Sequence, residues 1–531
     1  MSGWALPFHE RRCKGSTFVR HGQTEKGISN REGAKRAISE PKITRRKAKT
    51  TKKHKKQPFF ARNPCICQKK ALPLQRNYTP KVVAIATKPV IKKHDMDIQR
   101  NDYVERLYAK SWNGKVKIIT GIRRSGKSYL LSHLYKQFLL SKGVSKDCFV
   151  EIDLEKDDNA VYRNPNVLSE YVRSKCKNKR RKYYVFIDEI QMCSKVLAPN
   201  VDLSQVAEED RDLLYITFYD ILNGLRAQPN IDVYVTGSNS KMLSTDVVTY
   251  FRDRGSEIKV YPLSFAEFYA YAGLEKADAL EQYLTFGGMP LAVLVSDKQE
   301  KQKYLIDLHK NVYIKDIVER HKLKDDVIID ALTDVLYSSV GSLTNPTKLA
   351  NTITTVMARK TTDKTIKAYL EYLEDAYLIM KAERYDVRGK RYFENIKKYY
   401  AVDLGLRNAR LNFRQQERSH LMENMIFNEL IRRGYNVDVG VVEVERMKNG
   451  KRQQAQYEID FVVNTGAEQI YIQSALNIDT QEKQDQETFS LRNTADSFRK
   501  IVILDGNELP WMNDEGIMFM GVIPFLLGHK L

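Results

Sequence analysis

The chain has 531 residues, 42% of them hydrophobic, and a formal net charge of +22. That length predicts several domains and that composition a globular protein. No apolar run reaches the roughly 18 residues of a membrane span, and the first residues lack the apolar stretch of a secretory signal, so a cytoplasmic protein is expected. The charge suggests a nucleic-acid binder until it is divided along the chain. Residues 1–95 hold 25 Lys and Arg against 5 Asp and Glu, leaving 63 against 61 in the remainder. The basicity belongs to the first segment, and total charge is no argument for a nucleic-acid surface on the body.

Residues 1–95 lack sustained periodicity, and Thr44–Lys56 (TRRKAKTTKKHKK) is a basic low-complexity run expected to be disordered. Three readings stand for this segment: a tail that binds nucleic acid or anionic lipid, a targeting address, or an extension outside the natural protein. Cys65 and Cys67 form a C-x-C pair with histidines at 9, 21, 54 and 94. No second pair has zinc spacing, so free thiols in a reducing compartment are the plainer reading.

Met96–Ser111 reads as a helix leading into Val116–Thr120 (VKIIT), a buried strand. Gly121–Ser128 (GIRRSGKS) follows and fits the phosphate-loop pattern G-x-x-x-x-G-K-[ST]. After it, Leu130, Leu131, Leu134, Tyr135, Phe138 and Leu139 recur at helical spacing. Strand, loop and helix give the motif its physical context. Gly121 and Gly126 let the backbone approach phosphate, and loop N–H groups with the helix N-terminus point at phosphate oxygens. Arg124, Ser125 and Tyr129 are expected to line this site. Lys127 supplies charge, and Ser128 a hydroxyl for Mg²⁺.

Cys148–Leu154 is a second candidate strand. Tyr183–Ile187 (YYVFI) is a third and ends in Asp188 and Glu189. An apolar strand ending in two acids is the Walker B arrangement: Asp188 would hold Mg²⁺, and Glu189 would polarise the attacking water. The alternative is an acidic N-cap for the next helix. Residues 193–212 read as a surface insertion. Ile231–Thr236 is a further strand, after which Ser238 and Asn239 are candidates to sense a γ-phosphate, or else an ordinary turn. Arg254, with Arg252 as rival, is either a finger arginine or a solvated surface group. Strands alternating with helices predict a parallel sheet covered on both faces, with ligands at the carboxyl ends of its strands.

GIRRSGKS, FIDEIQ, YVTGSNSKMLS, the Arg254 segment and YPLSFAEF (Tyr261–Phe268), with GGMP (Gly287–Pro290) and YIKDIVER (Tyr313–Arg320), resemble a prokaryotic AAA-type P-loop ATPase family. The resemblance runs from about Met96 to the end and implies an ATP hydrolase using ATP and Mg²⁺. It places the ATPase module at 96–262, followed by C-terminal domains of unknown function. The expected fold is α/β: a P-loop parallel sheet, a helical lid at 263–320, a winged helix at 321–400, and a restriction-endonuclease-like α/β domain at 401–531.

Residues bear on the last two. Ile366, Tyr369, Leu370, Leu373 and Tyr377 share one helix face, with Asp363 expected as N-cap. Lys381–Tyr400 reads as a basic hairpin around Arg388-Gly389-Lys390. Helices before a basic hairpin suggest a winged helix, which serves DNA or protein partners. The resemblance further implies a PD-(D/E)xK nuclease core, with Glu423 on a helix, Glu458 and Asp460 on a strand, and a returning strand Ile470–Gln473. Active enzymes of that type need a second acid and then a lysine two residues on. Gln473, Ser474 and Ala475 stand there, so a binding platform without cleavage is expected. DNA, a protein and a second copy of the chain all remain candidate partners.

Overall fold

The computed structural model describes residues 97–237, 254–323, 326–415, 417–448, 451–466 and 468–531. The basic segment 1–95, Ser238, Asn239 and Arg252 lie outside the described residues.

The first sheet is built from β1 (Val116–Thr120), β2 (Phe149–Asp153), β3 (Tyr183–Asp188), β6 (Ile231–Thr236) and β7 (Gly255–Lys259). Its order is β2-β3-β6-β1-β7, with every pairing parallel. β1, β3 and β6 are apolar runs because both faces are covered. On one face Tyr103, Val104 and Leu107 of the helix Asn101–Ala109 pack with Leu130, Leu131, Leu134 and Tyr135 of the helix that follows the loop. On the other, Leu168 and Val172 of Pro165–Lys175 meet Leu222 and Leu225 of Phe218–Arg226. The insertion carries 3₁₀ turns and a two-stranded ribbon of β4 (Val196–Leu197) and β5 (Tyr215–Ile216). The β7 strand, next to the loop strand, was not expected from the sequence. Its run Gly-Ser-Glu-Ile-Lys is polar because it forms the edge of the sheet.

The opening helix begins at Asn101; Asp97–Arg100 has no regular structure. Arg100 engages loop and lid groups, described below, and that draws these residues off the helical path.

Past the first sheet the chain is helical to Asp375. A capping box opens the lid: Ser264 Oγ accepts from Glu267 N at 3.1 Å, and Glu267 Oε2 from Ser264 N at 2.8 Å. The helices Val327–Ser338, Pro346–Met357 and Asp363–Asp375 come next. Thr362, not Asp363, caps the last of these, its Oγ1 accepting from Thr365 N at 3.2 Å. An eight-stranded sheet closes the chain: β8 (Ile379–Asp386), β9 (Arg391–Ala401), β10 (Asn436–Lys448), β11 (Lys451–Asn464), β12 (Gln469–Ala475), β13 (Arg499–Leu504), β14 (Trp511–Met512) and β15 (Ile517–Gly521). The order is β14-β15-β13-β12-β11-β10-β8-β9.

The β8–β9 hairpin is no free wing, because β8 pairs in parallel with β10 and continues the last sheet. Lid residues Phe265, Phe268, Leu280 and Leu284 share one apolar core with Met425, Phe427 and Phe461 of the C-terminal block. The apolar faces of these segments are completed by partners far away in sequence, so composition along the chain does not reveal the joins. Among the described residues no helix is long and apolar enough to cross a membrane.

One buried ion pair ties the first sheet together. Lys117 of β1 meets Asp232 of β6, both buried; Asp232 also accepts from Trp112 N at 3.0 Å and Tyr234 Oη at 2.8 Å. Removing one member of a buried pair leaves an uncompensated charge. Asp232→Ala is therefore expected to destabilise the protein by about 3–5 kcal/mol, read as a fall in the thermal or denaturant midpoint, whereas the exposed Lys177→Ala leaves it unchanged.

Candidate functional site

The Gly-rich loop leaves the carboxyl end of β1. Gly121 has φ +134°, and a Cβ there would stand 2.1 Å from Val260 O, so no other residue fits without moving the adjoining strand. Gly126 has φ +89°, a left-handed turn that starts the helix at Lys127. That helix runs through Lys127–Tyr129, a π-helical stretch Leu130–Tyr135, and Lys136–Ser141.

Lys127 is 4% exposed, and its ammonium donates back to Gly121 O at 3.1 Å and Ile122 O at 3.0 Å. Burial pulls its pKa down to about 8, against the opposing pull of Glu189 and Asp188. Ser128 Oγ donates to Asp188 Oδ1 at 3.0 Å. Burial pushes the Asp188 carboxyl above its ordinary value, while hydrogen bonds from Thr236 and Ser128 work the other way. Glu189 stands in the left-handed region at φ +51°, at the N-cap position of the turn that follows, and its side chain makes no capping bond there. Its N–H donates to Thr236 Oγ1 at 3.1 Å, and its carboxylate accepts from Gln191 Nε2. Thr236, the last residue of β6, also donates to Asp188 Oδ1 and so joins the two acids.

Lys127, Ser128 and Glu189 border a cleft of about 520 Å³, within the range of small-molecule sites, and Asp188 lines a neighbouring hollow that shares Ser128. Arg124, Ser125, Gly126, Lys127, Ser128, Tyr129 and Glu189 form the polar side of the cleft, and Ile98, Leu263, Tyr271, Pro290, Leu291 and Leu294 its apolar side. The structure thus brings together Gly121, Arg124, Ser125, Gly126, Lys127, Ser128, Tyr129, Asp188 and Glu189. It does not bring Arg254 to them within one chain. Arg254 O accepts from Val116 N at 2.9 Å, which puts Arg254 at the amino end of β1, about 15 Å of strand from the loop.

Three site residues were missed. Arg100 is 4% exposed and donates to Ser125 O at 3.0 Å, Tyr261 O at 2.9 Å and Glu267 Oε1 at 3.1 Å, tying the loop to the first lid helix. Tyr313 Oη donates to Arg123 O at 2.8 Å from the far side of the loop. Neither has a local signal, because each acts on a carbonyl far away in sequence. Thr236 had one: a hydroxyl ending an apolar strand beside the acidic one.

The C-terminal sheet gathers a second polar cluster. Lys398 Nζ of β9 lies 2.8 Å from Glu423 Oε1, 2.6 Å from Glu458 Oε1 and 4.0 Å from Asp460 Oδ1. Asp460 N donates to Gln473 Oε1 at 3.4 Å. Burial and the neighbouring Glu423 raise the Asp460 carboxyl, and Lys398 opposes them.

The basic hairpin already has internal partners. Arg388 donates to Asn493 O at 2.7 Å and Glu443 O at 2.9 Å, Arg391 pairs with Asp386 at 3.3 Å, and Lys397 with Glu383 at 2.8 Å. Lys381 pairs with Glu374 at 3.1 Å. The preceding helix Asp363–Asp375 carries Lys364 and Lys367 against Asp363, Glu371, Glu374 and Asp375.

A parallel sheet with a Gly-rich loop at one strand end, and an acid pair two strands away, is the arrangement of a P-loop nucleotide-binding fold. Residues 113–269 match the family model described as an AAA domain, and residues 277–417 one described as a domain of unknown function, DUF8612. The chain belongs to the same family as an uncharacterized protein of Haemophilus influenzae, to which it is 31% identical over 435 residues, 81% of this chain and 98% of that one. It is also similar to an uncharacterized protein of Methanocaldococcus jannaschii, 29% identical over 361 residues, 66% of this chain and 72% of that one. Among solved structures it is similar to a Walker-type ATPase of Pyrococcus abyssi, with 17% identity, 59% of this chain and 96% of that chain covered, and a TM-score of 0.38.

Lys127 yields a pH prediction. Its folded pKa lies below the unfolded value of about 10.4, so between pH 8 and that value the unfolded chain binds more protons and stability rises with pH. Without nucleotide, Lys127→Met is expected to be the more stable protein at pH 7, by up to about 3 kcal/mol. That advantage should shrink as pH climbs past 8, measured by thermal unfolding of the two proteins across pH 7–10.

Proposed function

We propose that this protein binds MgATP in the cleft and hydrolyses it to drive conformational change in its C-terminal half. The observation that carries the reading is the hydrogen bond at 3.0 Å between Ser128 Oγ and Asp188 Oδ1, with Glu189 next in the chain. It joins the loop hydroxyl and the strand acid that such a site needs side by side. The residues fit a nucleotide: the bare loop at Gly121 and Gly126 and the Lys127 ammonium suit phosphates, and the apolar wall from Ile98 to Leu294 suits a base. Ser128 and Asp188 would hold Mg²⁺, whose charge would neutralise the phosphates.

In this reading Lys127 leaves the carbonyls of Gly121 and Ile122 for phosphate oxygens, Arg124, Ser125 and Tyr129 border the ligand, and Glu189 accepts a proton from the attacking water. Ser238 and Asn239 follow Thr236 and stay candidates for a γ-phosphate sensor. Arg254 would act only in the site of a second copy, so the finger role requires a homo-oligomer.

Three helices followed by the β8–β9 hairpin support a winged-helix ancestry for 321–400. Helix, β10, β11, β12, helix and β13 in succession support a nuclease-like core for 401–531. Most of the hairpin cations are engaged, exposed Lys390 aside, and with the acidic helix Asp363–Asp375 this favours a protein partner over DNA for this region.

Turnover is expected to depend on both acids and the lysine. In a phosphate-release assay on the full chain, Glu189→Gln should lower kcat by about 10²–10⁴-fold while ATP still binds, and Lys127→Ala should abolish binding. Adding duplex or single-stranded DNA should leave the rate unchanged. Tight ATP binding with no Glu189-dependent turnover would replace the hydrolase with an ATP-gated switch, and DNA stimulation would restore the DNA reading.

A further inference from the structure

The nuclease-like resemblance implies a divalent metal at the second cluster, with Glu423 and Asp460 as ligands, and the residues present do not fit one. A hard divalent cation needs several oxygens converging at about 2.0–2.6 Å on a shared point. Here that point holds an ammonium. Lys398 is 3% exposed, lies against Glu423 and Glu458, and is 4.0 Å from Asp460.

Part of the remaining carboxylate capacity is engaged too. Glu423 Oε1 also accepts from Tyr400 Oη at 2.7 Å, and Asp460 Oδ2 from Ser474 N at 2.8 Å. Among the described residues no group of three or more Asp, Glu, His or Cys side chains is arranged to hold a metal. An ammonium and a dication at one point would also repel each other strongly in a buried site.

The sequence departures acquire a meaning. The motif lysine is absent because Ala475 stands at its position, and the second acid because Gln473 stands at its own. A lysine enters instead from β9, a strand of the preceding hairpin, and it points at the carboxylates rather than beside them. We propose that Lys398 is a resident cation in place of the metal: its ammonium clamps β9, the helix Arg418–Arg432 and β11 together and leaves the cluster unable to bind divalent metal. The C-terminal sheet is thereby held without a metal ion, and it joins the hairpin to the nuclease-like core as one body.

The test uses the full chain without nucleotide, comparing wild type with Lys398→Ala, Glu423→Gln and the double variant. Thermal unfolding and isothermal titration with MnCl₂ are the readouts. Wild type is expected to show no Mn²⁺ binding that depends on Glu423 and no response to EDTA. Lys398→Ala should lower Tm by roughly 3–6 °C, the loss of a buried countercharge. Mn²⁺ should recover part of that fall in Lys398→Ala and none in the double variant. A Lys398→Ala protein with unchanged Tm, or one whose lowered Tm is indifferent to Mn²⁺, overturns the proposal. Should that variant not fold, wild type still decides: Mn²⁺ binding lost in Glu423→Gln, or Mn²⁺-dependent nicking of supercoiled DNA, overturns it.

Discussion

The position of one strand governs the first half of the molecule. β6 lies between the loop strand β1 and the acidic strand β3, so the two halves of the site stand two strand spacings apart, roughly 10 Å. That gap lets the loop curl inward and bring Ser128 Oγ to Asp188 without crowding the backbone. It also places Thr236, the end of the inserted strand, where its hydroxyl touches Asp188 and the Glu189 N–H together. A change at either acid is therefore felt at the end of β6.

The lid is held from both sides. Arg100 ties Ser125 of the loop to Glu267 of the first lid helix. Farther on, Asp403 Oδ2 accepts from Gly288 N at 2.7 Å, and its Oδ1 caps the helix Leu404–Arg410 through Leu406 N at 2.9 Å. Burial lifts the Asp403 carboxyl to about 6, although backbone donors from Gly288, Leu406 and Gly405 favour its charged form. One carboxylate thus joins the GGMP turn, which leads to Pro290 in the wall of the cleft, to the helix that follows β9. With the shared core of Phe265, Phe268, Met425 and Phe427, this gives the cleft a rigid mechanical link to the last sheet.

Charge is organised inward rather than outward. Cations that read as a basic surface in the hairpin close internal pairs with Asp386, Glu383, Glu374 and backbone carbonyls, and Lys398 is enclosed by three acids. Such pairs add little where exposed, but they select how β8, β9, β10 and β11 lie against one another. A run of basic letters is therefore a poor guide to a nucleic-acid surface when the facing strand carries the matching acids.

By itself the sequence determined the local chemistry. VKIIT, GIRRSGKS and FIDEIQ specify a strand, a phosphate loop and an acid pair, because glycine torsions, helix N-termini and buried strands are short-range matters. The hairpin at Arg388–Lys390 was legible for the same reason. Tertiary structure decided what those pieces meet. It added the polar edge strand β7, placed Arg254 at the far end of β1, and brought Arg100 and Tyr313 onto loop carbonyls. It also joined the hairpin to the last sheet and put Lys398 where the motif lysine is missing. Each of these is a contact between groups far apart in sequence, fixed by strand order and shared burial, and neither leaves a periodic trace along the chain.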